Sequence, residues 1–97
     1  MKDASTAMNP SSSLYIVKRP TVGQQMAILE STVQRELQDI HKSNITYEWL
    51  TETVIWNAPL MQPIYLGAVL FRLIKYSTQL PPLTRDEALQ RIHQIIN

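Results

Sequence analysis

This chain of 97 residues has no cysteine, only two glycines and few charges. Without cysteine it cannot form a disulfide scaffold, a thiolate zinc site or a cysteine nucleophile. The glycines, Gly23 and Gly67, are too few and too far apart to form a phosphate-cradling loop. Charged residues make up 18% of the chain and the net charge is +1, so no strong electrostatic field attracts nucleic acid or a membrane.

Long hydrophobic runs are missing as well. No apolar run approaches the roughly 20 residues that a membrane-spanning helix needs. Residues 1–13 are rich in Ser and Thr and lack the apolar core of a signal peptide. We therefore predict a disordered tail over 1–13, a single helical domain over 14–97, and a cytoplasmic protein without membrane association.

Apolar spacing predicts a long first helix over residues 21–41. Thr21 and Gln24 have the spacing of a capping box, in which two side chains satisfy free backbone donors. A stripe of apolar residues then recurs at helical steps of three and four, namely Val22, Met26, Leu29, Val33, Leu37 and Ile40.

Three further helices complete the predicted fold. The second starts at Thr46 and ends before Pro59, because proline has no N–H to donate. The third covers 64–76; a buried strand is the alternative for so apolar a run, but its length favours a helix. The fourth starts at a second capping box, Thr84 with Glu87. The predicted fold class is all-α, with a three-helix core and a short C-terminal fourth helix.

The third helix is apolar on nearly all sides, since residues 64–71 carry no charge. So small a protein has few other elements to cover it, and we predict that a second copy does so around a two-fold axis. The predicted dimer-interface residues are Leu66, Val69, Leu70 and Leu73. Gly67 weakens this helix by about 1 kcal/mol relative to alanine, or marks a close backbone contact.

Two tryptophans, Trp49 and Trp56, are seven residues apart and therefore share a face of the second helix. Tryptophan is enriched at the energetic centres of protein interfaces. It is also a common core residue, and the sequence leaves both interpretations, partner binding or core, open for this pair.

No arrangement of residues indicates catalysis. The two histidines, His41 and His93, have no metal-ligand spacing, and we predict neither a metal site nor a cofactor. Glu48 and Glu52 lie one turn apart, but a solvated helix face accounts for them better than a catalytic carboxylate pair. We expect the protein not to be an enzyme.

Nucleic-acid binding is an alternative that the basic residues keep open. The candidate contacts are Arg72, Lys75, Arg85 and Arg91. Phosphate binding requires several such charges to converge. Because nine basic residues are matched by eight acidic ones, a protein partner is favoured over nucleic acid.

The order of residues along the first two predicted helices is Leu29-Glu30, Val33, Leu37, Asn44-Ile45, Leu50 and Val54. In this order, over about residues 26–76, the chain resembles the YmgB/AriR family of small enterobacterial biofilm and acid-resistance regulators. The resemblance implies a non-enzymatic, dimeric helical regulator of the stress response that binds a signalling or transcription protein, with DNA-linked effects.

We therefore expect a small regulatory or adaptor protein that acts through protein–protein interaction as a homodimer. Two alternatives stay open: a DNA-associated transcriptional modulator, and a phage or secretion-type inhibitor or chaperone.

Overall fold

The computed structural model describes residues 20–39 and 44–97. Their helices are α1 (Val22–Asp39), α2 (Tyr47–Asn57), α3 (Pro63–Tyr76) and α4 (Arg85–Ile96). These residues include no strand, so the predicted all-α fold is confirmed and the strand alternative for 64–76 is wrong. The predicted tail over 1–13 and the helical end at Ile40 and His41 lie outside the described residues.

Local hydrogen bonds set the starts of the helices. The Thr21 N–H donates to Gln24 Oε1 at 2.8 Å, and the Gln24 N–H donates to Thr21 Oγ1 at 3.1 Å. Thr84 and Glu87 form the same reciprocal pair at 2.8 and 3.1 Å, which confirms both predicted capping boxes. The hydroxyl of Thr46 caps α2, which begins one residue later than predicted.

Helix α3 lies at the centre of the fold. It packs against α1, α2 and α4, most extensively against α4, and α2 also contacts α1 and α4. Within residues 20–39 and 44–97, no Cα atom of α1 lies within 8 Å of a Cα atom of α4. The short fourth helix is therefore a full part of the core, and its Ala88 and Ile92 are completely buried.

All four helices contribute to one hydrophobic core. Leu66, Val69, Leu70 and Leu73 lie inside it, each 2% exposed or less. The prediction that these residues form a dimer interface is therefore wrong. The reason is that three neighbouring helices of the same chain enclose the face of α3 that we had assigned to a second copy.

Gly67 marks a close approach between α3 and α4. A Cβ atom added at Gly67 would lie 3.1 Å from Leu89 Cα and 3.2 Å from Leu89 Cδ1. This confirms the interpretation of the glycine as a close backbone contact. The missing side chain lets the two helix backbones approach each other closely.

Candidate functional site

A groove of about 360 Å³ separates α1 from the turn between α2 and α3. Its apolar lining comes mainly from Ile28 and Leu29 of α1 and from Ala58, Leu60 and Met61 of the turn. Among the described residues, no Asp, Glu, Lys, Arg or His lines it. We term this recess the apolar groove.

The turn that forms one wall of the groove follows directly from its sequence. Pro59 cannot continue the hydrogen-bond ladder of α2, so the helix ends at Asn57. The N–H of Ala58 donates to the Ile55 carbonyl at 3.3 Å, and the N–H of Met61 donates to the Ala58 carbonyl at 3.1 Å. This tight turn buries Ala58 and leaves Leu60 exposed to solvent.

The opposite wall comes from a face of α1 beside its buried stripe. Met26, Leu29 and Val33 point into the core, as predicted, whereas Ile28 lies off this stripe. The hydroxyl of Thr32, one turn further, donates to the Ile28 carbonyl at 2.9 Å. That bond satisfies the hydroxyl within the helix and keeps this wall largely apolar.

Three large apolar side chains stand exposed at or beside the groove: Ile28 is 59% exposed, Trp56 83% and Leu60 86%. Ile28 and Leu60 line the recess, while Trp56 precedes the lining residue Asn57 on the last turn of α2. We term these three residues the apolar patch.

The two tryptophans differ in environment although they share a helix face. Trp49 is half-buried and packs against the core, whereas Trp56 is exposed. Trp49 therefore contributes to the core, which is one of the two roles that the sequence left open for it. Trp56 is not among the residues that pack against the core, and partner binding stays a prediction for it.

Two of the four candidate nucleic-acid contacts form ion pairs, each with a glutamate on a different neighbouring helix. Arg72 Nη1 lies 3.0 Å from Glu30 Oε2 on α1, and Arg91 Nη1 lies 2.9 Å from Glu48 Oε2 on α2. Arg91 also lies over the ring of Tyr47, 4.6 Å from its centroid. Their charges are partly neutralised locally, which weakens the case for a shared phosphate site.

The other two basic residues stand apart in the fold. The Lys75 ammonium lies 4.6 Å from the centroid of Phe71, which is on the same helix. Arg85 begins α4 and, with Asp86, lines a cavity of about 240 Å³ near the start of α3. Nucleic-acid binding by these residues stays a prediction.

Neither metal chemistry nor a membrane span emerges from the part of the chain that the structure describes. Among those residues, no group of three or more Asp, Glu or His side chains is placed to hold a metal ion. None of their helices combines the length and apolar character needed to cross a bilayer. Of the predicted solvated carboxylates, Glu48 pairs with Arg91 and Glu52 is exposed.

Comparison of the chain with protein-family models, with curated proteins and with solved structures gives no match in any of the three. The resemblance to the YmgB/AriR family therefore stays a prediction.

Sequence reasoning missed Ile28, Leu60 and Met61 as site residues. A signal for Ile28 existed, because it is a large apolar residue off the stripe that defines the buried face of α1. Leu60 follows a helix-ending proline, where a bulky apolar residue has no helical face to join. Neither Ile28 nor Leu60 belongs to an apolar stripe that the sequence predicts to be buried.

Proposed function

We propose that this protein is a non-enzymatic regulatory or adaptor protein that acts by binding another protein chain at the apolar patch. The observation that carries the proposal is that Ile28 and Leu60 are exposed in the lining of a groove whose described lining is uncharged, with the exposed Trp56 next in sequence to the lining residue Asn57. Single exposed apolar residues are ordinary on protein surfaces, whereas a contiguous group marks an interaction site.

The polar residues of the groove also favour an apolar protein side chain over a small polar ligand. The side chains of Gln25, Thr32 and Asn57 each donate to a backbone carbonyl, at 3.1, 2.9 and 2.7 Å respectively. Small-molecule sites usually combine an apolar lining with convergent polar groups that orient the ligand. Here the polar donors are directed to the chain itself, so the surface offered is chiefly hydrophobic.

The patch is large enough to contribute measurable binding energy. An exposed tryptophan presents roughly 200 Å², and burying apolar surface contributes about 25 cal/mol per Å². The three side chains together expose roughly 400 Å² on this scale. Association entropy offsets much of that gain, but tryptophan anchors still typically contribute about 2 kcal/mol or more.

Affinity capture from the native host tests the proposal. The full chain is compared with the Trp56→Lys/Leu60→Lys variant, which we expect to lose the bound proteins because two charges replace the apolar anchors. Both positions are exposed, so the variant should keep its helical circular dichroism and its unfolding midpoint.

Tyr76→Lys is the matched control for this experiment. Tyr76 is 68% exposed and ends α3, about 20 Å along the helix from the turn that carries Leu60. The control should retain the bound proteins. Identical captured sets from the patch variant and the unsubstituted chain would contradict the proposed function.

A further inference from the structure

We propose that the occupant of the apolar patch is a second copy of this chain. In the resulting two-fold dimer, Trp56 and Leu60 of each protomer enter the apolar groove of the other. The inference rests on the proposed function, because it names the partner for the same surface. It differs from the interface expected from the sequence, which would have used residues of α3 that lie in the core.

The first argument is self-complementarity. A two-fold interface uses the same surface on both protomers, so that surface must carry both a projection and a matching recess. Leu60 is exposed and lines the groove, and the exposed Trp56 at the end of α2 directly precedes the lining residue Asn57. A cavity of roughly 150 Å³ accommodates a benzene ring, so the groove of about 360 Å³ has room for an indole.

The second argument is charge. A charged residue close to a two-fold axis faces its own copy, and such like-charge contacts oppose association. Of residues 20–39 and 44–97, none that lines the groove is charged. This composition suits self-association better than recognition of a basic or acidic segment, which would require opposite charges at the groove.

The third argument is area. The three patch residues contribute roughly 400 Å² per protomer and thus roughly 800 Å² to a dimer. That area is below the range of stable specific interfaces and matches that of weak, transient ones. The core is already complete within one protomer. The structure thus points to a reversible dimer of folded protomers, with a dissociation constant on the order of micromolar.

Sedimentation velocity of the full chain between about 1 and 200 µM tests this affinity range. The unsubstituted chain should shift from monomer to dimer as the concentration rises. Trp56→Lys removes the projection and Ile28→Glu places a carboxylate in the groove wall. Each should weaken dimerisation at least about tenfold, while Tyr76→Lys should leave it unchanged. All three positions are exposed, so each variant should fold.

An equal mixture of Trp56→Lys and Ile28→Glu supplies the decisive measurement. In the mixed dimer, Trp56 of one protomer still meets an intact groove, and the introduced lysine of the other faces the introduced glutamate. The mixture should therefore dimerise more strongly than either variant alone. A dimer in which the tryptophans only meet each other at the axis would show no such recovery.

Three results would overturn the inference: an unsubstituted chain that stays monomeric, a Trp56→Lys dimer of unchanged affinity, or a mixture without recovery. Failure here is distinguishable from failure of the proposed function. If the chain is monomeric yet the patch variant loses captured host proteins, the binding surface stands and only its occupant is wrong. If the patch variant also captures the same proteins, both proposals fail.

Discussion

Two places where the helices meet differ in how closely their elements approach each other. Between α3 and α4, Gly67 and the fully buried Ala88 let the helix backbones approach closely, although a cavity of about 240 Å³ remains between Gly67 and Arg85. Toward α1, the turn after α2 leaves a groove of about 360 Å³ with Leu60 pointing outward. The same apolar residue types thus form a close helix–helix contact in one place and line an accessible groove in the other.

The difference indicates that how closely two neighbouring elements pack depends on small residues and turn geometry rather than on apolar content. A glycine removes the atoms that would hold two helices apart. A proline-containing turn places its apolar residue where no helix covers it. The close contact at Gly67 contributes to stability, and the groove beside α1 is available for binding.

The largest expected effect contrasts Leu70→Ala with Leu60→Ala. Leu70 is fully buried at the centre of α3, so its truncation should lower the free energy of unfolding by about 2–5 kcal/mol. Leu60 is exposed, and its truncation should change that quantity by less than about 0.5 kcal/mol in the monomer.

Urea unfolding at a concentration below dimer formation measures both variants. If Leu60→Ala and Leu70→Ala lowered the free energy of unfolding equally, the turn that carries Leu60 would be covered in the monomer. The contrast between the close α3–α4 contact and the accessible groove would then be wrong.

A smaller effect contrasts the same substitution at the two glycines. Gly67→Ala adds a methyl group 3.1 Å from Leu89 Cα, which is backbone and cannot rotate away. Overpacking of this kind costs about 1–3 kcal/mol, against a gain of about 1 kcal/mol in helix propensity. We expect a net loss of about 1 kcal/mol.

Gly23→Ala is the matched control, because the nearest atom to its added Cβ, Thr21 Oγ1, is 3.9 Å away. That variant should gain about 0.5 kcal/mol from helix propensity. Thermal unfolding compares the two midpoints. An increase for both variants would show that the seam between α3 and α4 can relax.

The smallest effect concerns charges on α4. Arg91→Gln removes the partly exposed pair with Glu48 and the contact with the Tyr47 ring. We expect a loss of at most about 1 kcal/mol. Arg85→Gln should be neutral or slightly stabilising, since Arg85 places a positive charge at the positive end of the helix dipole.

Unfolding at low and high salt checks these values, because salt screens exposed ion pairs. A loss above about 2 kcal/mol for Arg91→Gln would mean that charges, rather than apolar contacts, hold α4 against α2.

The helices could be predicted because their signals are local. The capping boxes at Thr21 and Thr84 join residues three apart, and Pro59 ends α2 through its own missing donor. The candidate site could not be predicted in the same way. Trp49 and Trp56 share a helix face, yet only one packs against the core, because cover depends on residues distant in sequence.

By itself, the sequence determined where the described helices begin and end and that they form an all-α fold. Hydrogen-bonded caps and apolar periodicity act within a few residues, and no distant partner is needed to express them. Only the tertiary structure decided that Leu70 is enclosed and that Ile28 and Leu60 remain exposed. Burial is a property of the neighbours that a side chain meets after the helices assemble, and spacing along one helix does not specify those neighbours.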